Sequence, residues 1–386
     1  MKSPMNRFSN IVEFAQQAIS IKYNNRAYEL KRAGRQLVVL SLGEAFFEIP
    51  LHDFSQLPLP EGYHYSHSRG TPQLRKRIAD YYFREYNVQV DPETEILITP
   101  GSKAAIHFVL MSMLNPGDEV LMHEPLWVSY PEQVRLTYGV PIQIPHDVGV
   151  EQYDRYMTDR TKVLIVNNPS NPRGSVFDDD SMDGIIKIAR ERDLLLLADE
   201  AYSEFVVDRH FKSFGTMDDT KTHVVVCNSL SKNFGLSGWR LGYVIGHHRL
   251  IDQVLKVIQH LVTCPATILQ HYVERHFDDI LKTTRPQIQE VVAKRQAVSR
   301  YVTKAGLDQL AGDATFYLFL SIAPSALGSE AFCDRLLEEE GICVVPGVGY
   351  GKSCDAFVRI SVGTEPLETI CRALDRIKHL INVTSR

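Results

Sequence analysis

Short apolar runs without alternation recur through the middle of this 386-residue chain, at residues 96–98, 120–122, 163–166, 194–198 and 224–227. Strands buried on both faces carry such runs, because neither face has to meet water. Between them lie segments of helical period. One begins at Thr71-Pro72, a capping hydroxyl followed by proline at the first helical position, and carries Leu74, Ile78 and Tyr81 on one face. A second follows Gly101-Ser102 and runs to about Leu114. A third follows the acidic run 178–180 and carries Ile185, Ile188 and Ala189; the acids suit a helix N-terminus better than a metal. Alternating strands and helices over roughly residues 50–275 predict an α/β fold with a mainly parallel sheet flanked by helices. A long amphipathic stretch from Pro286 to Ala305 follows, then strand-like segments at 316–321 and 357–362, which predict a smaller α+β domain. The expected division is a large domain over residues 46–285 and a small domain built from residues 1–45 together with 286–386.

Charge and composition narrow the function. The formal net charge is -5 and no block of Lys and Arg stands out, so nucleic acid is not an expected partner. Apolar stretches fall far short of the roughly 20 residues that span a bilayer, and no membrane association is expected. The first ten residues are polar and lack the apolar core of a secretory signal. Six dispersed cysteines with no Cys-x-x-Cys give neither a zinc site nor a disulfide framework, which suits a reducing, cytoplasmic setting. His64 and His67, and the pair His247-His248, have no carboxylate or cysteine pattern beside them, so no metal is expected.

In open α/β sheets, ligands bind beyond the carboxyl ends of the strands, so the residues after each apolar run carry the information. After the run at 96–98 comes Pro100-Gly101-Ser102-Lys103 and a helix. That is either a plain strand-to-helix turn or a phosphate cradle of free N–H groups. After 163–166 comes Asn167-Asn168-Pro169-Ser170-Asn171-Pro172-Arg173-Gly174. Its two Asn–Pro steps make a stiff loop, either structural or able to offer an Asn amide to a ligand. After 194–198 comes Asp199-Glu200-Ala201-Tyr202. Asp199 is either a capping residue or a buried acid that needs a cationic partner. After 224–227 comes Ser229, then Lys232 and Arg240 among small and apolar residues. Burial lowers a lysine pKa, as an amine nucleophile requires, and Ser and Arg are residue types that hold a phosphate. One ligand with a phosphate, a cationic ring nitrogen, a ring hydroxyl and an aldehyde would explain all four: pyridoxal 5′-phosphate.

The chain resembles the class I/II aminotransferases, the fold-type I pyridoxal-phosphate enzymes of the aspartate aminotransferase superfamily. The likeness rests on Ser-x-Ser-Lys-x-x-Gly-x-x-Gly-x-Arg-x-Gly from Ser229, on Asn-Pro-x-Asn-Pro-x-Gly from Asn168 and on Asp-Glu-x-Tyr from Asp199, in that order. It implies that Lys232 forms the cofactor Schiff base, Asp199 pairs with the ring N–H, and Asn171 and Tyr202 bond the ring hydroxyl. Gly101, Ser102, Lys103 (through its backbone), Ser229 and Arg240 would hold the phosphate, with Trp127 stacked on the ring. Arg359 would clamp the substrate α-carboxylate, helped by Asn171 and the Gly43 N–H. Tyr65 would reach the phosphate of a neighbouring subunit, which implies a homodimer. The implied reaction is transamination between an L-amino acid and a 2-oxo acid.

Two features depart from the family pattern. Ala45 and Phe46 stand where many relatives have Pro and Asp, in a loop that borders the substrate. No second arginine is identified for a dicarboxylate, so aspartate specificity is not expected. The same lysine, acid and arginine also serve lyases and cyclases that carry out elimination, replacement or ring closure. Gly349-Tyr350-Gly351-Lys352-Ser353 ends like a nucleotide-binding loop, but Pro346 stands where glycine is required and a strand follows where a helix is needed. A non-catalytic regulator with this fold is not expected, since no appended DNA-binding segment is visible and the length fits the catalytic family.

Overall fold

The structure is a computed structural model that describes residues 8–385 apart from 14, 51 and 209; most of the polar stretch 1–10 lies outside them. Among the described residues the strands are β1 (Val38–Val39), β2 (Ile96–Thr99), β3 (Glu119–His123), β4 (Val140–Ile144), β5 (Thr161–Asn167), β6 (Leu195–Asp199), β7 (Val224–Ser229), β8 (Gly242–Ile245), β9 (Tyr317–Ser321), β10 (Ile342–Cys343), β11 (Val345–Pro346) and β12 (Phe357–Ser361). A seven-stranded sheet has the order β2-β8-β7-β6-β5-β3-β4. Only β8 is reversed, antiparallel to both β2 and β7.

The doubly buried runs work as their composition requires. Successive side chains leave a strand on opposite faces. Leu196, Ala198, Leu164 and Val166 join one core with helices Pro72–Tyr86 and Asp179–Glu191. Leu195, Leu197, Val163 and Ile165 join another with helices Ser102–Met113 and His248–Leu261. The predicted Thr71 cap forms, its hydroxyl accepting from Leu74 N at 3.4 Å, and within the acidic run Asp178 also caps, its carboxylate accepting from Ser181 N at 2.8 Å. Ile78, Ile185 and Ala189 are fully buried, while Ile188 only edges the core.

A third core gathers β9, β12, helices Ser329–Glu340 and Leu367–Val383, and Tyr23 and Ala27 of helix Ile19–Arg32. The amphipathic stretch expected to begin at Pro286 is instead the second half of one helix, Thr267–Lys304, with Pro286 inside it. Its first half buries Tyr272, Val273, Phe277 and Ile280 in one core, and its second half buries Ile288, Val292, Val298 and Val302 in the other. Packing at both ends outweighs the local penalty of an internal proline. All six cysteines are unpaired. No helix among the described residues is long and apolar enough to cross a membrane.

Candidate active site

Register brings the first site residues together. Asn167 at the end of β5 pairs with Asp199 at the end of β6, Asp199 pairs with Cys227 of β7, and Ser229 ends β7 opposite Gly242. Beyond these ends lies a pocket of about 260 Å³. Its wall includes Gly43, Ser102, Lys103, Trp127, Asn171, Asp199, Tyr202, Ser229, Lys232, Arg240 and Arg359. Residues from positions 43 to 359 thus meet in one cavity. Gly101 stands just behind it, and Tyr65 is 84% exposed and outside it.

Lys232 follows β7 in a short loop. Its ammonium donates to the Gly43 carbonyl and lies 5.9 Å from the Tyr202 ring and 5.8 Å from the Phe316 ring. Burial lowers its pKa to about 8; Glu44 opposes the shift, and Arg359 and Arg240 add to it. An amine that deprotonates this readily can act as a nucleophile and as a base near neutral pH.

Asp199 is 6% exposed. It accepts from the Tyr130 hydroxyl at 2.6 Å and from Ala201 N at 3.2 Å. Burial raises its pKa to about 6, and these two donors hold it from rising further. No Lys or Arg among the described residues pairs with it, although a buried carboxylate calls for a cation. A protonated ring nitrogen would supply one.

The other end of the pocket suits a phosphate. Helix Ser102–Met113 begins there, and its cap residue Gly101 gives no side-chain bond to the first N–H groups. A helix N-terminus with free N–H groups attracts anions. The Arg240 guanidinium crosses this end, held by the Ser237 carbonyl at 2.6 Å and the Ser231 hydroxyl at 3.3 Å. A Cβ at Gly101 would sit 2.6 Å from Arg240 Nη2, and φ there is +86°, so glycine is required on both counts. The Ser229 hydroxyl accepts from Ser231 N at 3.0 Å.

Tyr202 and Asn171 meet between these ends: the Asn171 amide lies 3.4 Å from the Tyr202 hydroxyl, which also bonds the Tyr317 hydroxyl at 3.0 Å. Arg359, 3% exposed, donates to the Ser41 carbonyl at 2.7 Å and to Asn171 Oδ1 at 3.2 Å. The Tyr317 and Tyr350 rings lie 4.5 and 5.4 Å from its guanidinium carbon. Among the described residues its buried Nε has no partner and no carboxylate pairs with it. That leaves a guanidinium set for an external carboxylate. The buried acid without a cation, the buried guanidinium without an anion and the glycine-lined phosphate end together fit pyridoxal 5′-phosphate with an amino-acid substrate.

Several pocket residues were not singled out from sequence. Tyr130 carries the bond to Asp199, Tyr317 braces Tyr202, and Ser20, Ile21 and Asn24 of helix Ile19–Arg32 close one side. Tyr130 is three residues after Trp127, and their rings meet edge to face at 5.2 Å. That spacing was the one available signal for it. The Lys103 side chain also lines the pocket, with its ammonium 5.0 Å from the Trp127 ring. A larger cavity of about 380 Å³ opens beyond Asn167, lined by His123, His146 and Arg173, but it lacks the lysine and the phosphate end.

Comparison with known proteins points to one family. The family model "Aminotransferase class I and II" matches residues 60–377. The aspartate aminotransferase of Pyrococcus abyssi is 31% identical, over 92% of this chain and 94% of that protein. The aspartate/prephenate aminotransferase of Thermus thermophilus is also 31% identical, over 98% of this chain and 99% of that protein. Aromatic-amino-acid aminotransferase 2 of Thermococcus litoralis is 29% identical, over 92% and 94%. The solved aspartate aminotransferase from Thermus thermophilus with maleate superposes with a TM-score of 0.89 at 30% identity, over 97% of this chain and 99% of that one.

Proposed function

The chain belongs to the class I and II aminotransferase family and is a pyridoxal 5′-phosphate-dependent aminotransferase, and we propose that Lys232 is the lysine that carries the cofactor and moves the proton. The observation that supports this most is the single pocket holding Lys232, Asp199 and Arg359 at three separate points on its wall. When bound, the cofactor supplies an aldehyde and an electron-poor ring that takes up the charge left when an amino acid loses its Cα proton.

The protein's own residues do the rest. Asp199 holds the proton on the ring nitrogen by charge pairing. Asn171 and Tyr202 orient the ring through its hydroxyl. The first N–H groups of helix Ser102–Met113, with Ser229 and Arg240, hold the phosphate, and Trp127 covers a ring face. Arg359 binds the substrate α-carboxylate as a fork. Lys232 removes the Cα proton and returns one at the cofactor C4′ atom, which is the proton movement transamination needs.

Lys103 adds a fourth basic side chain to the pocket wall, after Lys232, Arg240 and Arg359, its pKa lowered by burial and then by Arg240. An acidic amino donor is therefore the first reading of specificity, against the expectation drawn from the missing second arginine, with Lys103 in that arginine's place, and it agrees with the relatives named for aspartate. Trp127 and Tyr317 in the same wall favour an aromatic donor as the second reading. The test is a panel of acidic, aromatic, basic and small L-amino acids, scored by the cofactor's absorbance change and by mass analysis of the oxo acid released. The acidic members should react fastest. Equal rates across the panel would reject both readings, and loss of ammonia without oxo-acid exchange would reject transamination.

A homodimer is part of this proposal. Tyr63 and Tyr65 are 78% and 84% exposed on one loop, which leaves Tyr65 free to reach a second copy's phosphate. A cytoplasmic setting is supported by the six unpaired cysteines.

A further inference from the structure

His52 lies past the loop that borders the pocket mouth, 224 residues before His276 in the chain. Yet the two imidazoles lie flat on each other, with ring centroids 3.7 Å apart and planes inclined by 2°. Asp279 follows on the same helix, one turn after His276. One ligand atom from each of the three residues lies within 4.8 Å of the other two. Nε2 of both histidines is closed to solvent and has no hydrogen-bond partner. Orphaned buried nitrogens are costly unless something binds them.

The helix itself is deformed here. His276 has φ -110° and ψ 18°, well off helical values, inside Thr267–Lys304. Pro286 is not the cause, because proline disturbs the carbonyl four residues earlier, that of Lys282. The kink falls at the residue that faces His52.

We propose that His52, His276 and Asp279 form a site for a divalent transition-metal cation of the zinc class, with water completing the shell. Neutral imidazole and carboxylate are the donors this class takes. Metal–nitrogen bonds of about 2.0–2.1 Å would set the donors roughly 3.4 Å apart. The present spread closes by turning one imidazole about its broad outer torsion and swinging the exposed Asp279 inward. Arg275 sits beside the site, donates to the Gln56 carbonyl and adds like charge, which weakens binding relative to a structural zinc centre. The metal would tie down the segment beside the pocket mouth. His52 N–H already donates to the Tyr272 hydroxyl at 3.2 Å, and that hydroxyl donates to the Pro50 carbonyl at 3.2 Å. Tyr272 packs on Trp239 at 4.8 Å, next to the phosphate-end residue Arg240.

The test uses the cofactor-loaded enzyme, stripped with a chelator and titrated with cobalt(II) by visible absorbance and with zinc by calorimetry. One equivalent per chain is expected, with the intense bands of four-coordinate cobalt. His52→Gln and His276→Gln should each weaken binding at least ~10-fold, and Asp279→Asn less, because it leaves one oxygen donor. Cofactor absorbance and circular dichroism check that each variant is folded; His52→Gln decides the matter if His276→Gln is not. No binding up to about 1 mM metal, or equal binding in the variants, would overturn the site.

Discussion

Lys232 and Asp199 owe their chemistry to burial acting on opposite charges. Exclusion of water disfavours the charged form of each, lowering the lysine to about 8 and raising the acid to about 6. On the proposed roles, Lys232→Ala removes both the carrier amine and the base. It should lower kcat by at least ~10²–10⁴-fold, the span a positioned proton shuttle contributes, measured as single-turnover oxo-acid release. Tyr130 acts on Asp199 through its 2.6 Å bond. In Tyr130→Phe the carboxylate loses its main ion-stabilising donor, so its pKa should climb above the wild-type value. Cofactor binding by the metal-free, cofactor-free enzyme should then need a higher pH, with the acid limb of the affinity profile shifted upward. An unchanged limb would separate Tyr130 from the acid's charge state.

At the level of elements, strand ends and helix starts do most of the positioning. The segment after β6 carries a second acid, Glu200, fully buried and bonded by the Ser213 hydroxyl and by Phe214 N at 2.7 Å. Burial raises its pKa to about 8. The unfolded chain releases this proton near the ordinary carboxylate range, while the folded chain keeps it to about 8. Between those limits the unfolded state binds fewer protons, so stability falls as pH rises through that window. Glu200→Gln should flatten this dependence, read as melting temperature of the cofactor-free enzyme at pH 5 against pH 8. Asp178 caps helix Asp179–Glu191 and is not part of the pocket wall. Asp178→Ala should cost about 1 kcal/mol of stability and leave kcat alone, as denaturant melts and steady-state rates would show.

Across the whole molecule, helix Thr267–Lys304 belongs to two cores at once and joins the seven-stranded sheet to the body that carries Arg359. The pocket therefore depends on packing far from it. In the proposed homodimer, Tyr65 would extend that dependence to a second copy. Tyr65→Phe should lower cofactor affinity about 10-fold, the loss of roughly one charge-assisted hydrogen bond, while the elution volume of the assembly stays the same. Wild-type affinity in that variant would place Tyr65 outside the phosphate site.

Local order along the chain was enough to predict the alternating strands and helices and the residues just past each strand. Lys232, Asp199, Asn171 and Ser229 were legible because strand ends converge whatever the rest of the chain does. Strands β4 and β8 and the true start of helix Thr267–Lys304 were not, since Val140–Ile144 is broken by a proline and a glutamine, Gly242–Ile245 is only four residues long and begins on a glycine, and Pro286 imitates a helix start. Tyr130, Tyr317 and Asn24 reach the pocket only through packing, and His52 meets His276 only because the segment after the mouth loop folds back onto that helix. Sequence alone determined which chemistry the strand ends could hold, because backbone periodicity and side-chain type are local properties. Which distant side chains brace that chemistry was decided by tertiary structure alone, because burial, ring contact and orphaned donors exist only between elements once they are packed.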